Sequence, residues 1–145
     1  MLKACGCVII VSFLICMLQE IYNFLLLVED EILKSLVEGA KLSDVYHAAE
    51  KFVKKEKPAL LDKMTKSLGF VTGIEFRESS LVIGPKNNAI VKKGMVFNIN
   101  LGFADLENPE SSDDRYKKYS LFLSDTVVVS DVIFIALNLF SEVSY

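Results

Sequence analysis

The spacing of apolar residues changes at Gly69, and this change constrains the fold of the 145-residue chain more than any other feature. Before Gly69, apolar residues recur at steps of three and four, the spacing that buries one face of an α-helix. After it, short runs of alternating apolar and polar residues are separated by turn-forming pairs such as Gly84-Pro85 and Lys93-Gly94. The sequence therefore predicts an α+β fold in which helices are followed by an antiparallel sheet.

Three helices are predicted before Gly69. The first carries an apolar stripe that starts at Leu18, and Gly39 is predicted to end it in the left-handed conformation that closes many helices. The second is predicted to begin at Ser43, whose hydroxyl would cap the first turn. The third is short, begins at Pro58 and is closed by Gly69.

Two strands are predicted from their patterns after Gly69. Residues 95–101 alternate between apolar and polar, as a half-buried strand does, and residues 119–129 are rich in β-branched and aromatic residues and are its expected partner. The polar connection at 105–118 is predicted to be a solvated hairpin tip. The apolar stretch at 132–145 is compatible with a helix or a strand, and its pattern does not distinguish them.

Composition excludes several classes of protein. Sixteen Lys and Arg against nineteen Asp and Glu give a net charge of −3, so no general basic field attracts nucleic acid, and direct DNA contact is predicted to be weak or absent. The three cysteines lie within the first sixteen residues in an apolar setting, which predicts inert thiols and a reduced, intracellular protein.

The one histidine, His47, is predicted to be a helix surface residue. No motif for nucleophilic catalysis, zinc binding or phosphate binding occurs.

The first eighteen residues form an apolar segment of their own. The apolar run at 8–18 is shorter than the roughly 20 residues that span a bilayer. The continuation to residue 28 is interrupted by Gln19, Glu20 and Asn23. Because a carboxylate at mid-bilayer is costly, a membrane anchor at 8–28 is an alternative that the sequence does not favour. The run at 8–18 also has the length of a signal-peptide core, which is a second alternative.

A basic cluster lies on the second and third predicted helices. Such a run is typical of a solvated helix face, and the alternative is a face that contacts an acidic partner. Its members are Lys51, Lys54, Lys55, Lys57, Lys63 and Lys66.

Several segments, taken in order, resemble the large subunit of the FACT histone chaperone, within its aminopeptidase-like N-terminal domain. They are GFVTGIEFRE at 69–78, KKGMVFNINLGFADL at 92–106 and YSLFLSDTVVV at 119–129, together with QEIYNFLL at 19–26 and residues 41–66. The resemblance implies a partial pita-bread fold, of the creatinase and aminopeptidase type, over residues 19–129. Residues 1–18 and 130–145 are then an apolar N-terminal segment and a divergent apolar C-terminal tail.

The resemblance also implies that the enzyme site of this fold has been lost. Family enzymes hold two divalent metals with two aspartates, a histidine and two glutamates. By resemblance, Phe70 stands at the position of the ligand histidine, Asn100 and Ser124 at those of the two glutamates, and Arg77 at that of a substrate-contacting histidine. The two aspartates have no counterpart, because the first aspartate of the chain is Asp30. The resemblance therefore implies no catalytic residue, no metal, no cofactor and no metallopeptidase activity.

The function implied by the resemblance is that of a non-catalytic histone- and chromatin-binding module. It would act in nucleosome reorganisation during transcription, replication and repair, in the nucleus and on the chromosome. Its expected partners are core histones or the nucleosome and the smaller FACT subunit. The candidate peptide-binding residues, beside the former catalytic groove, are Glu75, Arg77 and Glu78.

Three alternatives accompany this interpretation: a metal-dependent aminopeptidase, a membrane-anchored protein, and a truncated, non-functional gene fragment. Since the matched residues form only part of a pita-bread fold, an open sheet edge and uncovered apolar surface are also expected. The isolated chain is therefore predicted to aggregate or to need a partner.

Overall fold

The computed structural model describes residues 5–74, 76–109, 117–130 and 137–144. Helices α1 (Cys5–Ser35) and α2 (Leu42–Glu56) are followed by a 3₁₀ helix at Pro58–Lys63. Strands β1 (Gly69–Thr72), β2 (Val96–Glu107), β3 (Lys118–Val128) and β4 (Leu137–Ser144) form one antiparallel sheet in the order β1-β2-β3-β4. The predicted α+β order of helices followed by an antiparallel sheet is confirmed.

Helix α1 packs between α2 and the sheet. Its side chains Leu25, Val28 and Ile32 are fully buried, as the predicted stripe requires. The ring of Phe24 stacks on Phe52 of α2 at 6.1 Å and on Phe103 of β2 at 6.0 Å. The core therefore lies on one side of the sheet, beneath both helices.

The two faces of the sheet differ in polarity. Along β2, Phe97, Ile99 and Leu101 are buried in the core, while Asn98 and Asn100 alternate with them and are half-buried. This alternation confirms the strand predicted at 95–101. We call the side of the sheet turned away from the helices the open face. On the first three strands it carries Phe70, Thr72, Val96, Asn98, Asn100, Gly102, Phe122, Ser124, Thr126 and Val128.

The first helix ends earlier than the sequence predicts. It stops at Ser35, and Gly39 lies in the turn that follows. Gly39 does adopt a left-handed conformation, with φ +85°, but its N–H donates to the carbonyl of Val91 at 2.9 Å. Gly39 therefore turns the chain between the two helices, and the prediction that it closes α1 is wrong.

The predicted cap of α2 is also wrong. Ser43 lies inside the first turn and is buried, and its hydroxyl donates to Oδ1 of Asn88 at 3.3 Å. The N–H of Ser43 donates to the carbonyl of Asn87 at 2.7 Å. The loop at 84–91 thus supplies, from a distant part of the chain, the acceptors that a capping side chain supplies locally.

The third predicted helix is replaced by the shorter 3₁₀ helix, which ends at Lys63. Thr65 instead donates its N–H to the carbonyl of Gly102 at 3.0 Å, and Met64 forms an isolated bridge with Phe103. Gly69 begins β1 and does not close a helix. Pairing with β2 outweighs local helix propensity here.

The two ends of the described chain also join regular structure. Helix α1 is continuous through residue 18, and residues 137–144 form β4, paired with β3. The stretch that the sequence left open between helix and strand is thus a strand over these eight residues. The predicted tip at 105–118 lies partly in β2 and β3, and its residues 110–116 lie outside the described ranges. Within the ranges described above, no helix has the length and apolar character needed to cross a membrane.

Candidate functional site

The open face brings three uncharged polar side chains together at its centre. Asn100 of β2 is paired directly with Ser124 of β3, and Asn98 with Thr126. The Ser124 hydroxyl donates to Oδ1 of Asn100 at 2.8 Å and lies 3.4 Å from Oδ1 of Asn98. None of the named open-face residues is ionisable, so these positions on β1, β2 and β3 offer hydrogen bonds but no charge.

Phe70 lies beside this polar centre, on β1. It is paired with Asn98 and is 9% exposed. The ring of Phe76 meets it edge-on at 5.8 Å, and the guanidinium carbon of Arg77 lies 5.3 Å from its centroid. The loop after β1 therefore folds over Phe70, and a cation–π contact holds Arg77 there.

The structure places two of the three candidate peptide-binding residues at this loop. Arg77 is exposed above Phe70. Glu78 is half-buried, its N–H donates to the carbonyl of Val71 at 3.0 Å, and its carboxylate accepts a hydrogen bond from Ser80 at 3.2 Å. Glu75 lies outside the described residues. Arg77 and Glu78 thus flank the β1 end of the open face.

Apolar side chains surround the same loop. Ile74 is fully exposed and Phe76 is 81% exposed, although both are large hydrophobic residues. Phe122, paired with Gly102 at the other end of the open face, is also exposed. The open face therefore presents a neutral polar centre with apolar groups at both ends.

The candidate acidic-partner face lies on the other side of the molecule's core, along α2 and the 3₁₀ helix. Lys51, Lys54 and Lys55 are exposed, and Lys55 forms an ion pair with Glu56 at 3.4 Å. Lys57 places its ammonium 5.3 Å from the ring centroid of Phe24. Lys63 is half-buried and Lys66 is exposed. His47 is exposed and contacts Glu50 at 3.0 Å, as predicted for a surface histidine.

A buried carboxyl pair beneath the sheet was missed by the sequence predictions. Glu29 of α1 is 6% exposed and Asp125 of β3 is 4% exposed, and their side chains share a hydrogen bond. The pKa of Glu29 is raised from 4.5 to about 8, mainly because burial desolvates the carboxyl, with further contributions from the hydrogen bond and charge of Asp125 and from the charge of Asp30. At neutral pH the Glu29 carboxyl is therefore largely protonated.

The sequence does contain a signal for this pair. Glu29 stands four residues after Leu25 and three before Ile32, within the apolar stripe of the first helix. Asp125 stands between Leu123 and Val127 on the inward-facing positions of its strand. An acidic residue at an apolar position of a periodic pattern predicts a buried, partnered carboxyl.

The described part of the chain offers no ligand set for a metal. Among these residues, no group of three or more His, Cys, Asp and Glu side chains is placed to hold an ion. Glu29 and Asp125 are only two ligands, and they lie in the core beneath the sheet and not on the open face.

Comparison with known proteins identifies the family. The model of metallopeptidase family M24 matches residues 7–131, which is most of the chain. The chain belongs to family M24. The match begins twelve residues before the predicted boundary at residue 19, and that boundary stays a prediction.

Within M24, the chain is similar to the FACT complex subunit SPT16. The Arabidopsis thaliana protein is 44% identical over 113 residues, covering 78% of this chain and 10% of the relative. The Debaryomyces hansenii protein is 40% identical over 111 residues, covering 76% of this chain and 11% of the relative. The resemblance to the aminopeptidase-like N-terminal domain of the FACT large subunit is confirmed.

Solved structures agree on the fold. The N-terminal domain of FACT complex subunit SPT16 from Cicer arietinum has a TM-score of 0.75 at 42% identity, covering 81% of this chain and 28% of that domain. An X-Pro aminopeptidase from Thermotoga maritima has a TM-score of 0.68 at 20% identity, covering 85% of this chain and 31% of the enzyme. The likeness to the X-Pro aminopeptidase, at 20% identity, shows a shared fold alone. The predicted partial pita-bread fold of M24 is confirmed.

The chain spans only part of its relatives. It covers about a tenth of the length of the two SPT16 proteins and about a quarter of the solved N-terminal domain.

Proposed function

We propose that this M24 chain is a non-catalytic histone-binding module of a FACT-type histone chaperone. It acts in nucleosome reorganisation during transcription, replication and repair, in the nucleus and on the chromosome. Similarity to SPT16 supports the assignment to FACT. The observation that carries the non-catalytic part is the open face, whose central side chains are uncharged and bonded to each other.

The M24 metal site does not fit the residues present. Phe70, Asn100 and Ser124 stand where the family resemblance puts one histidine and two glutamate ligands. A phenyl ring has no lone pair to donate, and it is packed under Phe76 and Arg77. Asn100 and Ser124 are neutral and bind each other, so they supply no charge to hold two divalent cations close together.

The same face suits an extended basic peptide. Asn98, Asn100 and Ser124 offer amide and hydroxyl groups to a peptide backbone, and the exposed Phe76 offers apolar contact. Glu78 at its β1 end, with Glu75 near it in sequence, supplies carboxylates for lysine or arginine side chains. This chemistry supports core histones or the nucleosome as partners, in an assembly with the smaller FACT subunit. The net charge of −3 supports weak or absent direct contact with DNA.

The first test of this proposal reverses the charge of Glu78, at the β1 end of the open face, and of Glu75, which is near it in sequence. Binding of fluorescently labelled core histones is measured at fixed salt. The double variant E75K/E78K is expected to bind about five-fold more weakly, because like charges then face the basic histone. The control E38K/E107K makes the same change in net charge, from −3 to +1, at two exposed residues elsewhere. Equal losses in both variants, or no binding by the unmodified chain, would contradict the proposed site.

A second test addresses the peptidase alternative. The purified chain is incubated with Zn²⁺, Co²⁺ or Mn²⁺, desalted, and analysed for bound metal and for hydrolysis of X-Pro dipeptides. We expect neither stoichiometric metal nor turnover, because Phe70, Asn100 and Ser124 cannot form the two-metal site. Bound metal with dipeptide turnover would establish the aminopeptidase instead.

A further inference from the structure

We propose that the rings of Phe70 and Phe76 form a subsite for a quaternary ammonium side chain, that of a trimethylated lysine, and that Arg77 is the resident cation that this ligand displaces. The inference rests on the proposed function, because it concerns one side chain of a basic peptide bound at the open face. It deepens that function by naming the chemical group that is recognised and the residue that competes with it.

The two rings form an angled aromatic surface at the β1 end of the open face. Their centroids lie 5.8 Å apart, and their planes are inclined by 60°. Phe70 is held in β1 by its pairing with Asn98, whereas Phe76 lies in the loop that follows and is 81% exposed. Two rings set at an angle contact one rounded cation from two sides, which is the arrangement that binds methylated ammonium groups.

A cation already lies on this surface. The guanidinium carbon of Arg77 is 5.3 Å from the ring centroid of Phe70, within the roughly 6 Å of an attractive cation–π contact. Arg77 is exposed, and within the ranges that the structure describes it forms no ion pair. Phe70 is only 9% exposed, so another cation reaches the face of its ring by replacing Arg77.

Backbone hydrogen bonds hold the loop against β1 without the help of Arg77. The N–H of Glu78 donates to the carbonyl of Val71 at 3.0 Å, and the N–H of Val71 donates to the carbonyl of Leu81 at 3.0 Å. The N–H of Leu81 in turn donates to the carbonyl of Glu78 at 3.1 Å. These bonds fix the chain two residues after Phe76, so the loop stays beside Phe70 when the arginine side chain moves into solvent. A subsite built in advance avoids part of the cost of ordering on binding.

The neutral surroundings favour a cation that has no N–H groups. Thr72 and Asn98 lie beside Phe70 on the open face, and neither carries a charge. The ammonium of unmodified lysine has three N–H donors, which lose water against a ring that offers no conventional acceptor. A trimethylated ammonium keeps the positive charge, has no N–H donor and places methyl groups against the rings. The subsite is therefore expected to prefer trimethyl-lysine to lysine.

The first test measures binding of three fluorescein-labelled forms of one short basic peptide to the full chain. The central side chain is lysine, trimethyl-lysine, or the neutral analogue of trimethyl-lysine in which carbon replaces the charged nitrogen. The trimethyl-lysine form is expected to bind about five-fold more tightly than the neutral analogue, which has the same shape, and about three-fold more tightly than the lysine form. Equal affinity for trimethyl-lysine and the neutral analogue, or for trimethyl-lysine and lysine, would overturn the proposal.

The second test removes the competing cation. The variant R77A is expected to bind the trimethyl-lysine peptide about three-fold more tightly, because the ligand no longer displaces a resident charge. The matched control K86A makes the same change in net charge, from −3 to −4, at an exposed lysine elsewhere, and is expected to change the Kd less than about two-fold. Tightening of equal size in both variants, or none in R77A, would contradict the assigned role of Arg77.

A third variant separates the ring from its apolar character. F76L keeps an apolar side chain at an exposed position but has no aromatic face. It is expected to reduce the preference for trimethyl-lysine over the neutral analogue to less than about two-fold, with an unchanged circular dichroism spectrum as the folding control. An undiminished preference in F76L would overturn the two-ring subsite.

Binding of unmodified core histones to the same preparation distinguishes this inference from the proposed function. Histone binding together with equal affinity for the three peptides would overturn the subsite and leave the proposed function standing. Absent histone binding together with a clear preference for trimethyl-lysine would contradict the proposed function and support the subsite alone.

Discussion

Replacing Gly69 with alanine is expected to lower the free energy of unfolding by about 3 kcal/mol or more, enough to leave much of the chain unfolded. Gly69 begins β1 with φ +143°, a conformation that residues with a side chain rarely adopt. A Cβ at this position would also collide with the backbone oxygen of Asn98 and lie 3.0 Å from Cα of Ile99. Both obstacles are backbone atoms of β2, so they move only if the pairing of β1 with β2 is disturbed.

The control for this prediction is Gly73→Ala, at the residue that follows β1. No atom lies within 4 Å of the position its Cβ would take, and its backbone is not left-handed. The expected change in free energy of unfolding is within about 0.5 kcal/mol. Urea unfolding followed by circular dichroism compares the two variants, and similar stabilities would show that β1 does not require glycine at position 69.

Replacing Glu29 with glutamine is expected to stabilise the chain by about 3 kcal/mol at pH 7 and to leave its stability unchanged near pH 4. The raised pKa of Glu29, about 8 against 4.5, means that the folded chain keeps a proton that the unfolded chain releases. Stability from Glu29 is therefore fully present below pH 4.5 and is lost as pH rises towards 8. A glutamine amide still donates to Asp125 but has no proton to lose.

The measurement is the free energy of unfolding of the unmodified chain and of E29Q, taken at intervals from about pH 4 to about pH 8.5. Other carboxyl groups contribute their own pH dependence, so the informative quantity is the difference between the two proteins. That difference is expected to increase with pH and to level off above about pH 8. The control E38Q removes an exposed carboxylate from the turn after α1 and is expected to show a small, nearly constant difference. A constant difference for E29Q would show that Glu29 is ionised in the folded chain.

Much of the fold was predictable because its elements are amphipathic and their spacing is visible in the chain. The stripe through Leu25 and Ile32 predicted α1, and the alternation through Phe97 and Ile99 predicted β2. The family segments predicted the M24 fold. The mispredicted details at Gly39 and Ser43 concern helix ends, and the third predicted helix is a shorter 3₁₀ helix.

Those helix ends depend on acceptors from remote segments. Ser43 bonds to Asn88, Gly39 to Val91 and Thr65 to Gly102, each across more than thirty residues of sequence. Local propensity predicts a cap from the residues nearest to the helix end, and it has no information about a loop that packs there later. The sequence pattern therefore located α1 and α2 but misplaced the ends whose hydrogen bonds come from remote segments, and it predicted a third helix where the chain forms only a short 3₁₀ helix.

Some features of the candidate site likewise follow from the sequence alone, whereas others arise only in the folded structure. The sequence by itself determined that Phe70, Asn100 and Ser124 are uncharged, because the ability to ionise belongs to the residue type. Only the tertiary structure decided that Arg77 and Phe76 pack over Phe70 and that Glu29 meets Asp125 in the core. Chemical type belongs to each residue, whereas distance, burial and the pKa of a buried carboxyl arise only when segments far apart in the chain are packed together.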